Sequence, residues 1–293
     1  MSNKVDKLRA GFYQPGRSKG LLDLFKHSYL LSLLRKKEVK VRYRGSFLGL
    51  IWTYIKPLTT FFIYYYFVGR IMGADRANEH YAIYLFSGLI SIQFFNETFR
   101  NCTKSIRDNA ALVRKIYLPR ELFPIATWRV AITHFYPQLF ILLVASIIQG
   151  WYPGFLHILA VLLGFILLSG LAIGAGMLFA AMNVFYRDAE NLVELITMIT
   201  TWFSPILYKW SMIEQHMPLW LFKVYMCNPL TCAAELFHYA FWWPTNIDFT
   251  NYGLSLPPHF GFDICISIII VILMMVIGQL AFRKFEGRFA QEL

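Results

Sequence analysis

The sequence predicts an all-α polytopic membrane protein. Six transmembrane helices, inner N- and C-termini, an N-terminal amphipathic interfacial helix and an outer re-entrant hairpin between spans five and six make up the expected architecture. Three observations carry it. Of 293 residues, 57% are hydrophobic and only 15% charged, where a soluble domain carries about a quarter charged residues. Apolar runs of the roughly 20 residues that a bilayer requires recur along the chain. Lys and Arg gather in alternate loops, as cytoplasmic loops do.

The first 46 residues are basic and hold twelve of the 28 Lys/Arg. They contain no long apolar core, so they do not read as a secretory signal peptide. Within them, Leu21, Leu22, Phe25, Tyr29 and Leu33 recur at helical spacing, with Asp23, Lys26 and Lys36 on the other side. Residues 21–37 therefore form an amphipathic helix. It lies either on the inner leaflet or against other protein.

From Arg42 to Pro57 a basic stretch changes abruptly into an apolar one. Cationic groups stay at the anionic inner surface while apolar ones enter hydrocarbon. Spans follow near 47–70, 80–99, 126–148, 155–182, 191–208 and 262–282. With the N-terminus inside, segments 1–46, 100–125, 183–190 and 283–293 hold 22 Lys/Arg, and the outer segments hold Arg70, Arg76, Lys209 and Lys223. The fourth span contains Gly170 and Gly174, a small-xxx-small pair for close helix packing. Region 209–261 is too long for a simple loop. Its apolar stretches Leu219–Met226 and Leu230–Trp243, split by Asn228-Pro229, fit a protein-sheltered re-entrant hairpin better than two further spans. Cys227 and Cys232 are near enough to bridge, although buried free thiols fit better.

Recognisable catalytic chemistry is scarce. Gly11 to Ser18 nearly matches a phosphate-binding loop, but Arg17 replaces the lysine and no strand precedes it. There is no His-Glu-x-x-His, Cys-x-x-Cys or Gly-x-Ser-x-Gly, so neither a catalytic nor a metal site is expected. His134 and Arg129 share a span with no carboxylate nearby in sequence. Charged groups in spans are costly and often functional, but Lys56, Glu97, Arg129 and Glu194 fall near span ends, where they can instead snorkel. The net charge of +11 follows the loop pattern and requires no nucleic acid partner.

Two features invite function. Segment 100–124 is basic and amphipathic, with Ile106, Leu112, Val113 and Ile116 as an apolar stripe. It fits either a groove in a soluble partner or the membrane interface alone. Aromatics are in excess: Tyr64, Tyr65 and Tyr66 are consecutive, and Phe94, Phe95, Phe99, Trp202 and Phe203 lie in other spans. Their flat faces suit a sliding sugar chain, or equally core packing and an interfacial belt.

The stretch Tyr43-Arg44-Gly45-Ser46-Phe47-Leu48-Gly49-Leu50-Ile51-Trp52 with Pro57 resembles the start of the first span in one family. Val113 to Pro124, Asn183 to Asp188, Ser204-Pro205-Ile206-Leu207-Tyr208 and Asn228-Pro229-Leu230 resemble its later motifs, in the same order. The family is the membrane-spanning permease subunit of ABC-2-type polysaccharide exporters. The resemblance implies a bacterial plasma-membrane protein that pairs with a second copy of itself and with ABC ATPase subunits. ATP and Mg would sit on those subunits, and this chain would carry no cofactor of its own. A lipid-linked polysaccharide such as O-antigen, capsule, teichoic acid or galactan would be the substrate.

The implied division is a cytoplasmic region 1–46, a transmembrane domain 47–282 and a tail 283–293. Ile106, Asp108, Asn109, Leu112, Val113, Arg114 and Lys115 would form the ATPase coupling helix. Lys36, Lys37, Lys40, Arg42 and Arg44 would form the surface that meets the lipid head group. The eight aromatics above would line the glycan path. The long aromatic region 209–261 departs from the family pattern. A drug or small-lipid exporter, and a membrane-embedded glycosyl- or acyltransferase, are the competing functions.

Overall fold

The computed structural model describes residues 27–77, 79–116, 118–245 and 256–293. Residues 21–26 of the predicted amphipathic helix, the loop Gly11–Ser18 and positions 246–255 lie outside them. The described residues are helical, without strands. In chain order the helices are α1 (Ser28–Arg42), α2 (Trp52–Tyr64), α3 (Ala74–Ala77), α4 (Tyr81–Asp108), α5 (Ala110–Lys115) and α6 (Leu122–Ile148). They continue as α7 (Phe155–Phe185), α8 (Ala189–Trp202), α9 (Trp210–His216), α10 (Leu219–Met226), α11 (Pro229–Phe241), α12 (Phe260–Phe285) and α13 (Phe289–Glu292). Three are long and apolar enough to cross a membrane: α6, α7 and the unit formed by α12 and its C-terminal extension, Phe260–Glu292.

Helix α1 packs on α6. Its buried side is Leu31 and Leu34, while Tyr29 and Leu33 are exposed. The predicted stripe through Tyr29 and Leu33 thus faces outward, and a second stripe docks on protein. The loop to α2 turns at Gly45 and Gly49, whose φ angles of 75° and 48° suit glycine best. Ser46 Oγ accepts the Gly49 N–H at 3.1 Å. Helix α2 runs through Pro57 and continues as a π-helical segment, Tyr65–Ile71.

Helix α4 corrects the predicted boundary at residue 99. It runs unbroken for 28 residues, about 42 Å at 1.5 Å per residue. No Gly or Pro interrupts its second half, and side-chain partners on α8 hold the charged turns there. The interhelical segment therefore begins at Asn109, and its own helix, α5, is six residues long.

The predicted fifth span is also shorter. Helix α8 has 14 residues and ends at Trp202, because Pro205 disfavours helix at Ser204. The chain then runs non-helically through Ser204, Ile206 and Leu207, all buried. Tyr84 Oη donates to the carbonyls of Pro205 at 3.0 Å and Tyr208 at 2.6 Å, which satisfies backbone groups that would otherwise be costly to bury.

The paired short helices fall where the apolar stretches placed them. Pro229 occupies the first turn of α11, where its missing N–H costs nothing, and Asn228 Oδ1 accepts the Leu230 N–H at 3.1 Å. Nearly every residue of α11 is buried, against α7, α4 and α12. The four cysteines are free: Cys232 Sγ accepts from Ser267 Oγ at 3.1 Å and Cys227 Sγ donates to Asp263 at 3.6 Å.

Helix α7 is the hub, touching α12, α4 and α11. One apolar core joins these helices. A second gathers Leu31, Leu34, Ile106, Val113, Leu122, Phe123 and Phe289 where α1, α4, α5, α6 and the C-terminal helix meet.

Candidate polar cavity between α2, α4 and α6

Along α4, Gln93, Asn96, Glu97, Arg100 and Asn101 recur at spacings of three and four, so they share one face. That face and the His134 and Gln138 side of α6 line an open cavity of about 700 Å³, bordered also by Arg42, Tyr43 and the first turns of α2 through Thr60. Arg42, Lys56 and Arg100 line it, against a single carboxylate, Glu97. Thr53, Thr60 and four side-chain amides supply neutral polar groups, while Trp52, Phe94 and Phe135 add aromatic wall. Such a lining accepts a polar, anionic group with apolar surface attached.

Glu97 is the centre of its electrostatics. Its Oε1 accepts from Arg42 Nη1 at 2.6 Å and from His134 Nδ1 at 2.6 Å. Tyr43 Oη lies 3.2 Å from His134 Nε2. With the Nδ1 proton directed at the carboxylate, Nε2 accepts the tyrosine proton. One carboxylate thereby ties α1 and its exit loop to α4 and α6. Arg100 is fixed separately, donating from Nε and Nη2 to Thr197 Oγ1 on α8 at 2.9 and 2.6 Å.

This cluster corrects the expectation that His134 lacks a carboxylate and that Glu97 merely snorkels. The two residues are 37 positions apart, so span-by-span inspection missed the pair. The polar stripe at helical spacing on α4 was the available signal.

The predicted head-group residues divide. Lys36, Lys40 and Arg44 are exposed. Arg42 turns into the Glu97 cluster. Lys37 Nζ donates to Asn109 Oδ1 and Asn109 Nδ2 donates to Glu38 Oε1, so α1 also holds the α4–α5 elbow.

The predicted coupling residues divide as well. Ile106, Asn109 and Val113 are buried and Leu112 packs beside them, so most of the expected docking stripe lies in the chain's own second core, while Ile116 stays exposed. Asp108, Arg114 and Lys115 remain exposed. Nearby, Glu190 accepts from Arg107 Nη1 at 2.8 Å, pairs with Lys104 Nζ at 3.2 Å and accepts from Asn183 Nδ2 at 3.0 Å. Burial raises the Glu190 pKa, but the bonds from Asn183 and Lys104 and the charges of Lys104 and Arg107 outweigh it and leave the carboxyl below its ordinary value.

Among the aromatics, Tyr66, Trp202 and Phe203 are exposed. Tyr64 and Tyr65 are half-buried, and Tyr65 stacks toward Tyr81. Phe95 and Phe99 fill the core, and Phe94 packs on Phe135 and Phe165 at the cavity wall. Apolar area on α4 is worth most when buried against α7 and α8, which is why these phenylalanines turn inward.

Long apolar helices, the buried helix α11 and a cationic cavity beside a basic surface helix define a helical membrane protein. Residues 29–242 match the ABC-2 type transporter family, and the chain belongs to it. It is 28% identical over 264 residues to an O-antigen export system permease protein of Klebsiella pneumoniae, covering 90% of this chain and 95% of that one. A second Klebsiella pneumoniae O-antigen export permease is 26% identical over the same shares. One from Myxococcus xanthus is 28% identical over 66% of this chain and 73% of its own length.

Proposed function

We propose that this chain is the membrane subunit of an ATP-driven exporter that moves a lipid-linked polysaccharide across a bacterial plasma membrane. The observation that carries the proposal is the cavity of about 700 Å³ with three cations around one carboxylate, beside the exposed Lys36, Lys40 and Arg44. A phosphate-bearing lipid head group fits that chemistry, and the similarity to O-antigen export permeases supports a glycan attached to it.

In this proposal two copies pair around the path, and ABC ATPase subunits supply ATP and Mg. Regions 1–46, 47–282 and 283–293 serve as inner segment, transmembrane domain and tail. The six crossings are α2 with its π-helical continuation, α4, α6, α7, α8 from Asn191 onward with the buried 203–208 chain, and α12. Helices α10 and α11 form the re-entrant hairpin, with α11 sheltered by α4 and α7 and α10 packed on α11.

Exposed Lys36, Lys40 and Arg44 attract the head group, and Arg42, Lys56 and Arg100 receive it. Tyr66, Trp202 and Phe203 offer aromatic faces to the passing sugars. Asp108, Arg114 and Lys115 meet the ATPase, and the Lys37–Asn109 contact carries the displacement to α1.

The test is depletion of the chain in its native bacterium together with reconstitution alongside its ATPase. Loss of a cell-surface glycan, and ATP hydrolysis stimulated by lipid-linked glycan, are expected. Intact surface glycan, with ATPase stimulation by drugs or simple lipids instead, would overturn the proposal in favour of a small-molecule exporter.

A further inference from the structure

A second groove lies on the opposite side of α6 from the cavity. Arg35 of α1 and Arg129, Ile132, Thr133, Tyr136 and Pro137 of α6 enclose about 620 Å³ of it. It has two guanidinium groups and no carboxylate in its lining. Among the described residues, neither Arg35 nor Arg129 has a side-chain ion pair or hydrogen bond. Arg129 lies seven residues into α6, about 10 Å along the helix from Leu122. That is three residues inside the span predicted from residue 126, near the membrane surface, where a guanidinium group favours an anionic partner.

The same face of α6 continues as an apolar ridge. Tyr136, Phe140, Val144 and Ile147 are 64%, 66%, 39% and 51% exposed, and their spacings of four, four and three keep them in line with Arg129 and Thr133. A cationic head end followed by a straight apolar track has the shape of one membrane lipid. Thr133 Oγ1 already donates to the Arg129 carbonyl at 3.0 Å, so the two guanidinium groups and the Tyr136 hydroxyl are the donors left for a ligand.

We infer that the α1–α6 groove binds a resident anionic phospholipid. Its phosphate sits between Arg35 and Arg129, and an acyl chain runs along Phe140, Val144 and Ile147. Guanidinium groups suit phosphate because they donate in a planar fork. The bound lipid bridges the amphipathic helix to α6, and its site is separate from the cavity assigned to the exported substrate. The inference needs only that the chain spans a membrane, and stands whichever substrate is exported.

The experiment uses the full-length chain in lipid nanodiscs, with spin-labelled phosphatidylglycerol, phosphatidylethanolamine or phosphatidylcholine as the probe. The motionally restricted fraction of each probe is measured. Phosphatidylglycerol is expected to be preferred over both zwitterionic lipids by about tenfold, from two arginines near the membrane surface. That preference should fall several-fold in Arg35→Gln/Arg129→Gln, with the other basic groups intact, and persist in Arg76→Gln. Inorganic phosphate at millimolar concentration should not displace the probe, since the site takes the whole lipid.

Equal restriction of all three lipids by the unaltered chain overturns the inference and needs no variant to fold. So does an undiminished preference in a folded double variant, or displacement by phosphate alone. A preference seen only after removal of residues 2–26 overturns it too, by showing that the chain's own N-terminal segment fills the groove.

Discussion

Gly174 of α7 and Gly278 of α12 meet backbone to backbone. A methyl group added at Gly278 would overlap the Gly174 carbonyl oxygen, and one added at Gly174 would lie 2.8 Å from the Met274 carbonyl. Neither helix can retreat without opening the most extensive helix contact among the described residues. Gly174→Leu or Gly278→Leu should therefore cost about 3 kcal/mol or more, the upper range for overpacking. Gly261→Ala meets open space and should change stability by less than about 0.5 kcal/mol. Thermal unfolding in detergent distinguishes the three.

The Glu97 carboxylate holds both Arg42 and His134. Its side chain is 27% exposed, so Glu97→Gln is expected to cost about 1–2 kcal/mol, below the range for a fully buried pair. A double-mutant cycle with His134→Asn should return a coupling of about 1 kcal/mol. Additive effects would show that the contact is incidental.

Glu190 makes stability depend on pH with a defined sign. Its folded-state pKa lies below the ordinary 4.5. The stabilisation it contributes is thus complete above the unfolded value and is lost as pH falls through the folded one. Glu190→Gln should lower stability by about 1 kcal/mol at pH 7. The gap between variant and parent should narrow below pH 4.5 and stay constant from pH 6 to 8, well above the ordinary carboxylate range of about 4. Urea titrations across that range check it.

Adjacent positions at the α4–α5 elbow should differ in access. Asp108 is exposed, whereas Asn109 is 3% exposed and held by Lys37 and Glu38. A cysteine at 108 should react readily with a maleimide and become protected when the ATPase binds. A cysteine at 109 should react slowly in both states. Equal labelling of the two, or no protection at 108, counts against the elbow as the docking point.

Phe99 and Trp202 should separate packing from transport. Phe99 is 1% exposed in the core, so Phe99→Ala should cost about 3–5 kcal/mol. Trp202 is 57% exposed. Trp202→Ala should leave the unfolding temperature unchanged while lowering glycan export. A stability loss at Trp202 equal to that at Phe99 would remove it from the proposed path.

Composition and local pattern were enough to foresee a helical membrane protein, short helices at Leu219–Met226 and about Leu230–Trp243, where the second runs Pro229–Phe241, and the close packing at Gly170 and Gly174. Apolar length, helix-breaking Asn228-Pro229 and small residues at a four-residue interval act within a few turns of chain. They can be read without knowing what lies opposite. The Glu97–His134 pair, the burial of Ile106 and Val113, and the Tyr84 support beneath Pro205 could not be read that way. Each depends on which faces of α1, α4, α6 and α8 meet across dozens of residues. An apolar stripe has the same spacing whether it faces a partner, a lipid or the chain's own core, and only tertiary packing decided which of these surfaces each stripe received.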